Sequence, residues 1–308
     1  MTPVRLALVG LGKIARDQHV PAVMASPDFE LLCGASLEGL CPTGKTYASV
    51  EAMLGAEPAI QAVALCQPPQ ARFEAARAAL AAGKHVLLEK PPCATVGELN
   101  ILADMARERG LTLFCAWHSR YASGVEPARA WLDGRHIRSA TVSWREDVRV
   151  WHPGQQWIWQ PGGLGVFDPG INALSIATLI LPPLRLVRGV LSYPSNLQAP
   201  ITADLELEIV GGGRVVAEFD FRQLGEQTWD IRVQTDGGAL WLSGGGARLA
   251  IAGVEQPLPP SMEYPSLYAR FADLIARADS DVDARPLQLV ADAFLRSERT
   301  IVEPFTDS

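Results

Sequence analysis

Arg5-Leu6-Ala7-Leu8-Val9-Gly10-Leu11-Gly12-Lys13-Ile14-Ala15 decides how the first half of this 308-residue chain folds. An apolar run breaks at two glycines and passes into a helical pattern, so the stretch reads as strand, tight turn and helix. Gly10 permits the turn, Gly12 lets a pyrophosphate approach the main chain, and Ala15 lets the helix pack close to the strand. The phosphates would sit on the open amides of the first helical turn, where Lys13 and Ile14 lie. A lone G-x-G-x-x-A is weak evidence. Its place at the first strand-to-helix junction, with a second strand over 30–35 at βαβ distance, makes dinucleotide binding the reading.

Working outward, a third strand over 62–66 ends at Gln67-Pro68-Pro69, and a helix over 71–82 leads through Gly83 to a fourth strand, 85–88. A helix over 96–109 and a fifth strand over 112–116 follow. Strands alternating with helices give an α/β domain, a doubly wound parallel Rossmann sheet that binds ligands at its strand tips. Pro68, Glu89 and Lys90 fall at those tips. Pro91 and Pro92 fix the backbone behind Lys90, which favours a placed ammonium over a surface lysine. The second strand ends in Ala35-Ser36-Leu37-Glu38, where an adenosine ribose is met. Ser36 can bond a hydroxyl, and Leu37 stands where an arginine for a 2′-phosphate would be expected. Glu38 would repel a phosphate, unless it is a solvated loop charge. The reading is NAD in preference to NADP.

Beyond a helix over 124–132 the pattern turns to period-two alternation with glycine-rich turns, as at Gly211-Gly212-Gly213. This predicts a second, α+β domain with an open, mainly antiparallel sheet, so the domains read as 1–121 and 122–308. Residues 262–301 read as two amphipathic helices separated near 279–286, expected to fold back onto the first domain. Between the strands lies Gly162-Gly163-Leu164-Gly165-Val166-Phe167-Asp168-Pro169-Gly170-Ile171-Asn172. Asp168 reads as a helix N-cap with Pro169 at the first helical position, and Asn172 falls one turn later on the same face. Asp-Pro opens many helices without chemistry. Here Trp151, His152, Trp157 and Trp159 stand just upstream, beside a dinucleotide-binding half.

With 48% apolar and 20% charged residues the chain is neither disordered nor fibrous, and its apolar runs are too short to span a bilayer. A cytoplasmic protein is expected. A net charge of −7 without a basic stripe argues against nucleic acid and for a small polar ligand. The five cysteines are odd in number and never spaced C-x-x-C, so they read as buried apolar side chains, and no metal site is expected. Cys93, near Lys90, has no readable histidine partner and is not taken as a nucleophile.

These motifs together resemble the Gfo/Idh/MocA oxidoreductase superfamily over nearly the whole chain: G-L-G-K-I-A at 10–15, E-K-P at 89–91 and G-G-L-G-V-F-D-P-G-I-N at 162–172. Within it the chain resembles the bacterial aldose 1-dehydrogenases, which act on L-arabinose and D-galactose. They share Asp-x-x-x-Asn, where the inositol-dehydrogenase pattern has histidine at the fourth position. An amide takes no proton at neutral pH, so Asp168 is the ionisable member of the pair. The resemblance implies oxidation of a monosaccharide (L-arabinose, D-galactose, D-fucose) at C1 to its lactone with NAD or NADP. Asp168 would be the base, Lys90 would favour negative charge on O1, and Asn172 would orient the hydroxyl. Glu146 and His152 would bind ring hydroxyls, with Trp151 and Trp229 as possible aromatic faces for the sugar. A homodimer through the outer face of the second sheet is implied as well. An inositol or polyol dehydrogenase and a non-catalytic NAD-binding sugar sensor stay open, and retention of both Lys90 and Asp168 speaks against the sensor.

Overall fold

The computed structural model describes residues 2–306, which form two compact units. One contains the residues up to His118 together with Tyr264–Ala284. The other contains Ser119–Glu263 and the residues from Arg285 onward.

In the first unit, strands β1 (Val4–Val9), β2 (Phe29–Ala35), β3 (Thr46–Tyr47), β4 (Ala62–Leu65), β5 (His85–Glu89) and β6 (Leu113–Ala116) lie in the order β3-β2-β1-β4-β5-β6. All neighbours run parallel, and the order reverses at β1 and β4, where such sheets bind ligands. The runs Leu6–Val9, Ala62–Leu65 and Val86–Leu88 at the middle of the sheet are apolar and buried, as a parallel sheet covered on both faces requires. The two-residue β3 and the helix Val50–Ala56 were too short to show a period in the sequence. Helix Val96–Arg109 opens on a capping box: Glu98 N–H donates to Thr95 Oγ1 at 3.1 Å, and Thr95 N–H donates to Glu98 Oε2 at 3.2 Å. The helix after β1 widens over Ala15–His19, where Val20 N–H reaches back to Ala15 O; the next residue, Pro21, has no N–H to give. Helix Glu263–Arg277 buries Tyr264, Leu267, Tyr268, Phe271 and Leu274, a stripe at helical spacing, with Phe271 stacked on Phe29 and Phe114.

The second unit is built on β7 (Ile137–Arg145), β8 (Leu184–Pro194), β9 (Thr202–Ile209), β10 (Arg214–Asp220), β11 (Thr228–Thr235), β12 (Gly238–Ser243), β13 (Arg248–Ile251), β14 (Val254–Glu255) and β15 (Glu298–Val302). Their order is β14-β13-β12-β11-β7-β10-β9-β8-β15, with β7–β10 and β8–β15 parallel and the other pairs antiparallel. β15 lies within the stretch read as helix; it is a short edge strand, mostly exposed, so its alternation carries no burial signal. Helix Phe167–Ile180 is apolar almost all round because it is buried between the sheet and helices Val125–Leu132 and Arg285–Arg296. Gly170 makes the close approach possible: a Cβ there would stand 2.8 Å from the Phe219 ring on β10. Among the described residues no helix is long and apolar enough to cross a membrane.

Candidate active site

The nucleotide loop is built as its glycines require. Gly10 has φ +81°, and a Cβ there would lie 2.8 Å from Gln67 N, so a side chain would push apart the tips of β1 and β4. At Gly12 a Cβ would meet nothing within 4 Å, leaving open ground over the loop and the first amides of the helix, a cradle that fits a pyrophosphate. Arg16 braces the loop by donating to Leu11 O at 2.9 Å, and Lys13 pairs with Asp17. Ser36 Oγ accepts from Gly39 N at 3.1 Å and Leu11 N at 3.4 Å, while Leu37 stands 90% exposed beyond it. Pro68 is exposed at the tip of β4, and Ile14 is half-buried.

Glu89 differs from the sequence reading. Its carboxylate, expected among the cofactor contacts, is 2% exposed and turned inward, because helix Glu263–Arg277 covers the end of β5 and brings a donor to it. Tyr264 Oη donates to Oε1 at 2.7 Å, His19 Nε2 stands 3.3 Å from the same oxygen, and Lys90 N–H donates to Oε2 at 2.5 Å. Burial alone would raise this carboxyl, but His19, with His118 and Lys90 beyond, holds it at about 2. Burial would likewise lower His19, yet Cys66, Tyr268 and Glu89 raise it well above its ordinary value. Lys90 follows, half-buried. Cys93 is buried, which pushes its thiol up to about 12, unfit for a nucleophile.

In the second unit Glu146, the residue after β7, is the centre of a polar cluster. Asp147 caps the short helix Val148–Trp151 by accepting from Arg149 N at 3.0 Å, and this turn brings His152 back over Glu146. His152 Nε2 lies 2.9 Å from Glu146 Oε1, and Trp229 Nε1 donates to Glu146 Oε2 at 2.8 Å. On its other edge His152 Nδ1 faces Gln155 Oε1 and Asp168 Oδ2, each at 3.4 Å. Both ring nitrogens of His152 thus face acceptors. Trp229 sits opposite Trp144 in the β11–β7 register, stacked at 5.8 Å, and Trp151 leans on it at 4.6 Å. Glu146, His152, Asp168, Trp151 and Trp229 are thus one assembly.

Asp168 is not the N-cap. The helix begins at Phe167, one residue earlier, and Val166 occupies the cap without a side-chain bond. The carboxylate, in a residue 3% exposed, reaches His152 instead. The approach is set by glycines: a Cβ on Gly163 would stand 2.3 Å from Trp157 O, and one on Gly165, at φ +53°, 2.3 Å from Pro200 O. Asn172 is half-buried one turn after Asp168. Trp159 packs on Phe221 and Phe305, so it belongs to the core under the loop. The sequence reading passed over Trp144 and Gln155, and in the first unit His19, Arg72, Tyr264 and Tyr268. The period of two could have found Trp144, which shares a strand face with Glu146.

The model of the oxidoreductase family with the NAD-binding Rossmann fold (GFO_IDH_MocA) matches residues 4–116. The chain is 47% identical over 308 residues, all of both chains, to galactose 1-dehydrogenase from Pseudomonas fluorescens. The crystal structure of a D-galactose-1-dehydrogenase protein from Rhizobium etli superposes with a TM-score of 0.96 at 53% identity, covering 99% of each chain. A 3-ketoreductase from Actinomadura kijaniata, solved with NADP and TDP-benzene, shares the fold at a TM-score of 0.84 and 21% identity, over 97% of this chain and 99% of its own. The signature loop, the E-K-P strand tip and the full-length likeness agree, and this chain belongs to the Gfo/Idh/MocA oxidoreductase family.

Proposed function

We propose that the protein is an NAD-dependent sugar 1-dehydrogenase that oxidises C1 of D-galactose and L-arabinose to the lactone. The full-length 47% identity to a galactose 1-dehydrogenase carries this reading, because it spans both the nucleotide loop and the Glu146–His152–Asp168 cluster. The nicotinamide, when bound, supplies the hydride acceptor. The chain's part is to orient the sugar and take a proton. Asp168 removes the proton of the C1 hydroxyl, Asn172 orients that hydroxyl, and the Lys90 ammonium favours the charge developing on O1. Glu146 is held by His152 and Trp229 through one lone pair on each oxygen, which leaves both oxygens able to accept from a sugar hydroxyl. The half-buried Trp229 and exposed Trp151 offer apolar faces to the ring.

NAD is favoured because Leu37 stands where a phosphate-binding arginine would be expected, and two candidate phosphate ligands are engaged, Arg16 with Leu11 O and Lys45 with Glu57 at 2.8 Å. We also infer a homodimer through the outer face of the second sheet, where Arg145–Glu218 and Arg185–Glu208 pairs and the 38%-exposed Trp241 lie; light scattering in solution tests this. Regiochemistry tests the activity. Galactose labelled with carbon-13 at C1, incubated with protein and NAD, should give labelled lactone and aldonate carbon by NMR. Oxidation at another carbon, or cofactor binding with no turnover of any sugar, would contradict the reading.

A further inference from the structure

At the tip of β5 a buried charge cluster stands behind Lys90, and no step described above uses it. Arg72, 2% exposed, donates to the carbonyls of Gln67, Glu89 and Pro91, tying the chain after β4 to both sides of Lys90. Glu89, 2% exposed, gathers three donors: Tyr264 Oη, His19 Nε2 and the main-chain N–H of Lys90. His19, with no exposure, hands its other nitrogen to Tyr268 Oη at 2.8 Å. A carboxylate accepting three hydrogen bonds in the interior is ionised, and the imidazole beside it is its counter-charge. Such a pair is a poor source of stability, since taking two charges out of water is costly and a well-packed apolar pair would do as well. What it supplies is position. A carboxylate held by Tyr264 of helix Glu263–Arg277 and by His19, which Tyr268 holds in turn, leaves the Lys90 amide one place to be, and Arg72 fixes the carbonyls on either side.

We propose that Glu89 is a positioning residue for Lys90, with His19 as its buried counter-ion and Tyr264 as the link that makes helix Glu263–Arg277 part of the machinery of hydride transfer. The proposal rests on the reading of Lys90 as the cation that favours charge on O1. Its signature is dependence on Lys90. Glu89→Gln keeps the shape but removes the charge and turns one donor toward others, so kcat should fall about ten- to a hundredfold, the scale of a misplaced catalytic group. The NAD dissociation constant, read by fluorescence, should stay within about threefold, since the phosphate cradle lies on a different strand tip.

The deciding experiment is a double-mutant cycle on the full-length protein with Lys90→Ala. If Glu89 acts through Lys90, adding Glu89→Gln to Lys90→Ala should lower residual turnover by less than about twofold. Equal losses in both backgrounds would overturn the proposal. Impaired turnover in Lys90→Ala with unchanged turnover in Glu89→Gln would remove the positioning role and leave the Lys90 reading standing, whereas unchanged turnover in Lys90→Ala would remove both. Should Glu89→Gln not fold, Tyr264→Phe, which deletes one donor and no charge, enters the same cycle: a loss of about threefold or more in the wild type and none beside Lys90→Ala is expected, and equal losses overturn the proposal.

Discussion

Asp168 is buried, and His152 is the titratable neighbour on which its carboxylate closes. That combination favours a base that works by proximity, so Asp168→Ala should lower kcat by about two to four orders of magnitude while NAD affinity barely moves. Lys90→Ala should act alike. Steady-state kinetics with a cofactor titration decides the matter, and near-normal turnover in Asp168→Ala would assign the base elsewhere. At the ribose end, Leu37→Arg should narrow the gap between NAD and NADP in kcat/KM by about tenfold or more, because it offers a guanidinium to a 2′-phosphate. A wild-type preference for NADP would contradict the reading. At this scale the sequence was legible where spacing is local: Asp168 and Asn172 one turn apart, Gly10 and Gly12 in one loop. Glu89 was not, because its partners, His19 and Tyr264, lie 70 and 175 residues away.

Elements place these residues through close approaches. Gly163 and Gly165 let the chain enter helix Phe167–Ile180 against Trp157 and Pro200, with Val166 N–H bonded to Pro200 O at 2.8 Å. Gly163→Ala or Gly165→Ala should destabilise by about 2–4 kcal/mol and lower activity further than the lost stability explains, since the Asp168 approach moves. Denaturant titration against kcat checks this; wild-type stability and turnover would contradict it. The His19–Glu89 pair predicts the pH dependence of folding. Glu89, lowered from 4.5 to about 2, contributes stability present above pH 4.5 and lost as pH falls toward 2. His19, raised above 6.5, contributes stability present below pH 6.5 and lost as pH rises through its folded value. The variant carrying both His19→Gln and Glu89→Gln should therefore show a flatter melting temperature on both sides of the pH 4.5–6.5 window, and slopes identical to wild type would contradict the ion pair. Long periodic helices and apolar strands were legible in the sequence. The turn Val148–Trp151 was not, since four residues show no period, and with it went the return of His152 to Glu146.

The molecule as a whole couples a nucleotide unit with strand order 3-2-1-4-5-6 to a unit whose nine-stranded sheet carries the Glu146–His152–Asp168 cluster. Both architectures followed from pattern, period 3.6 between apolar strands in one and period two in the other. The C-terminal helices differ from the expectation that both fold back onto the first domain: Tyr264–Ala284 belongs to the first unit but the helix after it to the second, since amphipathic spacing says which face is buried without saying against what. The central claim is that this cluster reads the first four carbons of a sugar oxidised at C1. D-galactose and L-arabinose are identical over those carbons, and D-glucose differs from galactose at C4 alone. Losing a buried bond to the axial C4 hydroxyl should cost about a hundredfold or more in specificity. The most direct test is kcat/KM with NAD for the three sugars, followed by reduced-nicotinamide absorbance. Galactose and arabinose should both be oxidised, with glucose at least about a hundredfold poorer; glucose as good as galactose, or activity confined to inositols, would contradict the account.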